Sequence, residues 1–271
     1  MALTAVTPST SQQRAGNPPR CGALALLMNA VVYPLLVVWT LVGMVFFPFL
    51  FLVWILLTRW PAGRIMRHFI WIYGRGWLLI MAPFVRFRRH GFDHLDLSRP
   101  VIFVVNHQSF FDTYCMGLLP VFDVTFAVRA WPFRMIWYRW FMHLAGYLNV
   151  ESSSWMEVEG AGSKVLEGGG HLLFFPEGHR SRDGRLQRFY NGAFQLAVAT
   201  GRPLVPLCLQ GTGTLLPPGR LSLRPARVSL TALPAIDSRR FSGANAHRAL
   251  RTLVRDEMNA ALAPPDPGGA A

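Results

Sequence analysis

The chain has 271 residues, a formal net charge of +13, and 52% hydrophobic against 15% charged residues. That charge invites a nucleic-acid partner, but the apolar composition argues against one, and no zinc-finger spacing or basic helix followed by heptads is present. Cys21, Cys115 and Cys208 are far apart and form no CxxC, which argues against a disulfide framework or a cysteine metal site and fits a reducing compartment. A basic, apolar, Trp-rich chain points instead to an anionic partner at a membrane surface.

Residues 1–20 are rich in Ser, Thr, Gln, Pro and Ala and read as a disordered tail; residues 263–271, "APPDPGGAA", read the same way. Residues 21–58 form a hydrophobic, membrane-associated segment. No charged residue occurs from Ala23 to Leu57, whereas a membrane crossing needs only about 20 apolar residues. Pro34 and Pro48 interrupt the run. Two arrangements fit: one long tilted span, or two shorter helices forming a hairpin that enters and leaves the same leaflet. A cleaved signal peptide fits less well, because the apolar run is too long.

Arg59, Arg64 and Arg67 follow at once, while only Arg14 and Arg20 precede. The positive-inside bias puts the C-terminal bulk on the cytoplasmic side, expected at a bacterial inner membrane. Residues 64–89 interleave arginines with Trp71, Tyr73, Trp77 and Phe84. Either an interfacial stretch or an amphipathic helix packed on the core would carry that pattern.

The remainder, 59–262, alternates. Strand-like runs are "VIFVV" (101–105), "VTFAVR" (124–129), "HLLFFP" (171–176), "LVPLCLQ" (204–210) and "RVSLTAL" (227–233), with helical spacing over 152–167 and 190–200. Strands apolar at nearly every position, alternating with helices, predict an α/β domain with a mostly parallel sheet flanked by helices. Sites in such sheets form where strands end.

At the end of "VIFVV" stand Asn106 and His107, with Asp112 five positions after the histidine. If the chain turns helical after Ser109, the carboxylate reaches back to one imidazole nitrogen, fixing the tautomer and leaving the other nitrogen to take a proton. A helix-cap contact or a surface pair would give the same spacing. A second strand ends in Phe175-Pro176-Glu177-Gly178, followed by Arg180, Arg182, Arg185 and Arg188. Gly178 and Gly184 allow a tight turn close to a ligand, and guanidiniums there suit a phosphate. Arg185 and Arg188 read as a solvated basic loop. Arg180, beside the Pro-Glu-Gly turn, does not.

Together "NHQSFFD" (106–112), "FPEGHRS" (175–181) and "LVPLCLQG" (204–211) resemble the glycerolipid acyltransferase family, the 1-acylglycerol-3-phosphate acyltransferases and their relatives. The resemblance runs over roughly 60–235. It implies acyl transfer from a thioester donor, acyl-CoA or acyl-ACP, to the hydroxyl of a lysolipid acceptor at a membrane, with no metal and no cofactor. His107 would be the base and Asp112 its partner. Glu177, Gly178 and Arg180 would lie in the acceptor site, with Arg180 on the phosphate, and Arg129 would stand where relatives carry a basic phosphate-binding residue. Two positions depart from the family pattern: Ser152 where Arg is usual, and His179 where Thr is usual. The first bears on acceptor choice. The implied acceptor is lysophosphatidate, with other lysophospholipids or a lyso-aminolipid as the alternative.

Rival functions fit less well. The Gly-x-Ser-x-Gly turn of a serine hydrolase is absent. His107, His171, Glu177 and His179 form no recognised metal-ligand spacing. A CoA-independent transacylase would share both motifs. A non-catalytic lipid-binding protein would have no need of the intact His107 and Asp112.

Overall fold

The computed structural model describes residues 22–181 and 183–263. The two expected tails, apart from Ala263, lie outside the described residues, as do Cys21 and Arg182. In chain order the elements are α1 (Ala23–Thr58), α2 (Ala62–Met81), β1 (Val85–His90), β2 (Ile102–Val105), α3 (Asp112–Cys115), β3 (Val124–Val128), α4 (Trp131–Arg134), α5 (Ile136–Ala145), β4 (Leu148–Asn149), α6 (Trp155–Glu167), β5 (His171–Phe174), α7 (Gly192–Thr200), β6 (Leu204–Gln210), α8 (Thr212–Leu215), β7 (Ala226–Ala232) and α9 (Ala246–Leu262), with short 3-10 turns after α3 and before α9.

The seven strands form one sheet in the order β1-β7-β6-β2-β5-β3-β4. Every neighbouring pair is parallel except β6 with β7. The α/β expectation therefore holds. All four residues of β2 are buried because both faces of the sheet are covered. Phe103 and Val105 point into the core shared with α1 and α2, while Ile102 and Val104 point into the core under α6, α7 and α9. This is the period-2 alternation of a strand, hidden in the sequence because both sides are apolar.

Two strands escaped the sequence. β1, "VRFRRH", buries Val85 and exposes Arg86 and Arg88, as a charged edge strand does. β4 has two residues, too few for a pattern.

The apolar segment is a single helix of 36 residues that continues through Pro34 and Pro48. No hairpin forms within it. The return is made by α2, which runs antiparallel beside it: Trp54 meets the Phe69 ring, Phe47 meets Phe69, and Thr40 and Tyr73 share a hydroxyl hydrogen bond of 2.7 Å. Ala25, Met28, Val32 and Leu36 make a helical stripe buried on the domain. Apart from these residues and the half-buried ones that face α2, most of α1 is exposed and apolar.

Much of the stretch 64–89 packs on the core, as the amphipathic-helix expectation has it. Trp77 stacks on Tyr114 at 4.1 Å, and the Trp71 indole donates to the Leu119 carbonyl at 3.0 Å. Arg64 and Arg67 both pair with Asp123, at 3.2 and 2.6 Å.

Candidate active site

The parallel strands end along one edge of the sheet, and β2 and β5 are neighbours. The loops after these two strands therefore meet. Asn106 closes the end of β2: its side-chain amide donates to the Leu209 carbonyl at 2.8 Å and accepts the Leu209 N–H at 2.7 Å. The side chain thus replaces one step of the β ladder toward β6 and fixes where His107 begins.

Asp112 opens α3 and is fully buried. Its Oδ2 accepts three bonds: from His107 Nδ1 at 2.7 Å, from the Gln108 N–H at 2.5 Å and from the Ser109 N–H at 2.8 Å. Two backbone donors hold the carboxylate still, and the carboxylate holds the imidazole. With Nδ1–H donating, Nε2 carries the free lone pair, and the His107 side chain is 19% exposed. The Phe175 ring lies 4.5 Å from the imidazole, centroid to centroid, giving it an apolar wall. The spacing read from the sequence brings these residues into contact as expected.

Glu177 stands in the loop that follows β5. It is buried, and its two oxygens accept the His107 N–H at 2.8 Å and the Gln187 N–H at 2.9 Å. Burial pushes its carboxyl above the usual carboxylate range, and the two backbone bonds oppose that shift. In return the Ser181 N–H donates to the His107 carbonyl at 2.7 Å. The two motif loops are thus laced at the backbone of the histidine itself. Ser181 and Gln187 were not singled out from sequence. Ser181 lay in plain view within "FPEGHRS", whereas nothing marks Gln187.

Gly178 has φ +69°, and a Cβ there would meet the Tyr190 ring at 2.8 Å. Both the backbone conformation and the close approach require glycine. Arg180 and His179 are exposed, and Arg180 forms no hydrogen bond or ion pair among the described residues. Arg180 stands one residue before Ser181, the residue bonded to His107. Arg129, just past β3, is exposed and paired with Glu151, whose other oxygen takes the Ala130 N–H at 2.9 Å. The pair raises the Arg129 pKa and lowers that of Glu151. Ser152, next to Glu151, is exposed.

A profile of the Acyltransferase family matches residues 86–210, a span that contains both loops. A 1-acyl-sn-glycerol-3-phosphate acyltransferase of Limnanthes douglasii is 30% identical over 69% of this chain and 67% of its own. The chain belongs to the acyltransferase family. The chloroplastic 1-acyl-sn-glycerol-3-phosphate acyltransferase LPAT1 of Arabidopsis thaliana is 34% identical over 59% of this chain and 45% of its own. The chain spans about half the length of that relative and of two similar algal and plant relatives. The crystal structure of the 1-acyl-sn-glycerophosphate acyltransferase PlsC from Thermotoga maritima shares the fold, with a TM-score of 0.70 at 24% identity over 88% of this chain and 94% of that one.

Proposed function

We propose that this acyltransferase-family chain moves a fatty acyl group from an acyl-CoA or acyl-ACP thioester to the free hydroxyl of lysophosphatidate, giving phosphatidate. One observation carries the reading: His107 is held by Asp112 through Nδ1 and by Glu177 through its backbone, with Nε2 left free at the end of a buried strand. Such a group suits a general base, which typically contributes about 10²- to 10⁴-fold.

Nε2 takes the proton of the acceptor hydroxyl as its oxygen attacks the thioester carbonyl. The carbonyl π pair moves onto oxygen, and a tetrahedral oxyanion forms. The oxyanion collapses, the C–S bond breaks, and the thiolate takes the proton back from the imidazolium. Asp112 stabilises the imidazolium meanwhile. Glu177 positions the histidine and does not touch substrate. Arg180 meets the acceptor phosphate, and Gly178 lets the loop approach it. Arg129 joins when the phosphate displaces Glu151. The test is transfer of radiolabelled acyl groups from acyl-CoA to lysophosphatidate in purified membranes. Labelled phosphatidate is expected, and its absence with every thioester donor overturns the reading.

A second reading has its own observation. Arg129 is already engaged by Glu151, and Ser152 supplies no charge. A site with fewer free cations suits a lysolipid whose headgroup carries less charge than a phosphate dianion.

The same reading places the protein at a membrane without an odd number of crossings. The domain touches α1 near its start and again in its second half: the Asn29 amide bonds to Leu223, and Phe47 meets Phe141. At about 1.5 Å per residue the helix is about 54 Å long, against a hydrocarbon core of about 30 Å. A domain lying alongside fits a helix pair resting in one leaflet better than a span. Arg64 and Arg67 share the single carboxylate of Asp123, which leaves a net positive charge on that cluster, so with Arg59 they still carry the charge argument for the cytoplasmic side.

A further inference from the structure

α5 has one face that is largely exposed among the described residues. Ile136 is 80% exposed and Trp140 is 79% exposed, one helical turn apart. Arg139 and His143 are exposed on the same stripe, and Trp131 of α4 is exposed nearby in sequence. A soluble surface seldom presents an isoleucine and a tryptophan so fully, side by side.

The opposite face of α5 is tied down at three places. The Tyr138 hydroxyl bonds to the Tyr114 hydroxyl at 3.0 Å, and Tyr114 belongs to α3, two residues from Asp112. The Phe141 ring packs on Phe47 of α1 at 5.7 Å. Arg67 of α2 donates to the Ala145 carbonyl at 2.8 Å. α5 is thus a brace between the apolar helix and the helix that carries the histidine's partner.

We propose that α5 is a membrane-contacting element in its own right, lying in the headgroup region of a bilayer that contains anionic phospholipid. The proposal rests on the membrane-bound reading above and adds a contact to it. The occupant is argued from continuity and chemistry. Phe47, against which α5 packs, lies between Val45, Phe46 and Phe49, all exposed on α1, so the helix beside α5 also carries open apolar surface. Tryptophan amid arginine is what a helix at the interface presents: the indole sits at the acyl boundary and the guanidinium reaches the phosphates. Neither Arg134 nor Arg139 forms an ion pair among the described residues; the Glu151 carboxylate feels the charge of Arg134, so Arg139 is the guanidinium offered to lipid phosphate. A protein partner would have to cover this stripe and the exposed apolar side chains of α1 as well. A bilayer does so without a dedicated interface. Since α5 is bonded to α3, this contact sets how deep His107 sits relative to the hydroxyls of embedded acceptors.

The test uses the full chain with Cys21→Ser, since Cys115 and Cys208 are buried. Trp140→Cys carries an environment-sensitive fluorophore. Leu253→Cys, on α9 at the opposite face of the sheet, is the control. Vesicles of phosphatidylcholine and phosphatidylglycerol, with and without a lipid carrying a quencher just below the headgroup, are added. A blue shift and quenching at position 140, with neither at 253, is the expected result. Ile136→Asp with Trp140→Asp should lower vesicle partitioning by roughly tenfold or more. It should also reduce transfer to vesicle-embedded acceptor more than transfer to a dispersed short-chain acceptor. If the protein sediments with vesicles while the label at 140 stays in water, the inference is overturned and the membrane-bound reading stands. If the protein does not sediment at all, both fall.

Discussion

Glu177 accepts the backbone N–H of His107 at 2.8 Å, so the second motif holds the first by the main chain of the residue proposed to do the chemistry. Removing one acceptor from a buried N–H costs about 1–3 kcal/mol. Glu177→Gln turns a donor toward one of the two backbone N–H groups. The expected outcome is a fall in kcat of roughly 10- to 100-fold, with KM for the acceptor nearly unchanged. A rise in KM with kcat preserved would instead return Glu177 to the acceptor pocket.

His107→Ala should abolish transfer while the protein stays folded and membrane-bound, because among the described residues the imidazole makes only the one side-chain bond to Asp112. Asp112→Asn should lower kcat by about 10²-fold or more, since the imidazolium loses its counter-charge. The Gln108 and Ser109 N–H groups can still be received by the amide oxygen, so the thermal midpoint should move less than the rate does. Turnover near the parent level in His107→Ala would end the proposed mechanism.

What could be read in advance follows from where the signal resides. β2, β5 and β6 were legible because burial on both faces makes every side chain apolar. β1 was not, because an edge strand places Arg86 and Arg88 outward and so resembles a basic interfacial stretch. The unbroken α1 was hidden by Pro34 and Pro48, which end helices in water but are tolerated in apolar surroundings, where free backbone groups cost more. His107 and Asp112 were legible because a local turn sets their contact. The work of Glu177 was not, since its partners are the N–H groups of His107 and Gln187, and main-chain atoms leave no mark on residue type. The Arg129–Glu151 pair was equally invisible, joining residues from the ends of two neighbouring strands.

His171 opens β5 and gives a pH dependence with a definite sign. It is buried, its Nδ1 accepts the Val101 N–H at 3.3 Å, and burial depresses its pKa from 6.5 to about 4, against a smaller opposing effect of Asp123. Below 6.5 the unfolded chain takes up a proton there that the folded chain refuses, so stability is complete above 6.5 and is lost as the pH falls toward 4. The full loss is on the order of 3 kcal/mol. The thermal midpoint in detergent should fall across this window. In His171→Gln, whose side-chain oxygen can still accept the Val101 N–H, it should fall less. Equal pH profiles for the two proteins would place the acid lability elsewhere.

The acceptor headgroup is open to a test at two positions that act on one charge balance. A phosphate dianion calls for several cationic donors, since an uncompensated charge in a partly dry site is costly. Arg180 is free, but Arg129 must first release Glu151. Ser152→Arg adds a cation beside this pair, and Glu151→Gln releases Arg129 without adding one. If charge at this corner decides the headgroup, each variant should raise kcat/KM for lysophosphatidate relative to lysophosphatidylcholine, by roughly 3- to 10-fold for a partly exposed ion pair. The ratio, rather than either rate alone, is the measurement, because damage to folding would lower both rates together. A ratio unchanged in both variants would mean that headgroup choice is made away from the ends of β3 and β4. Arg180 would then be left as the cation proposed to meet the phosphate.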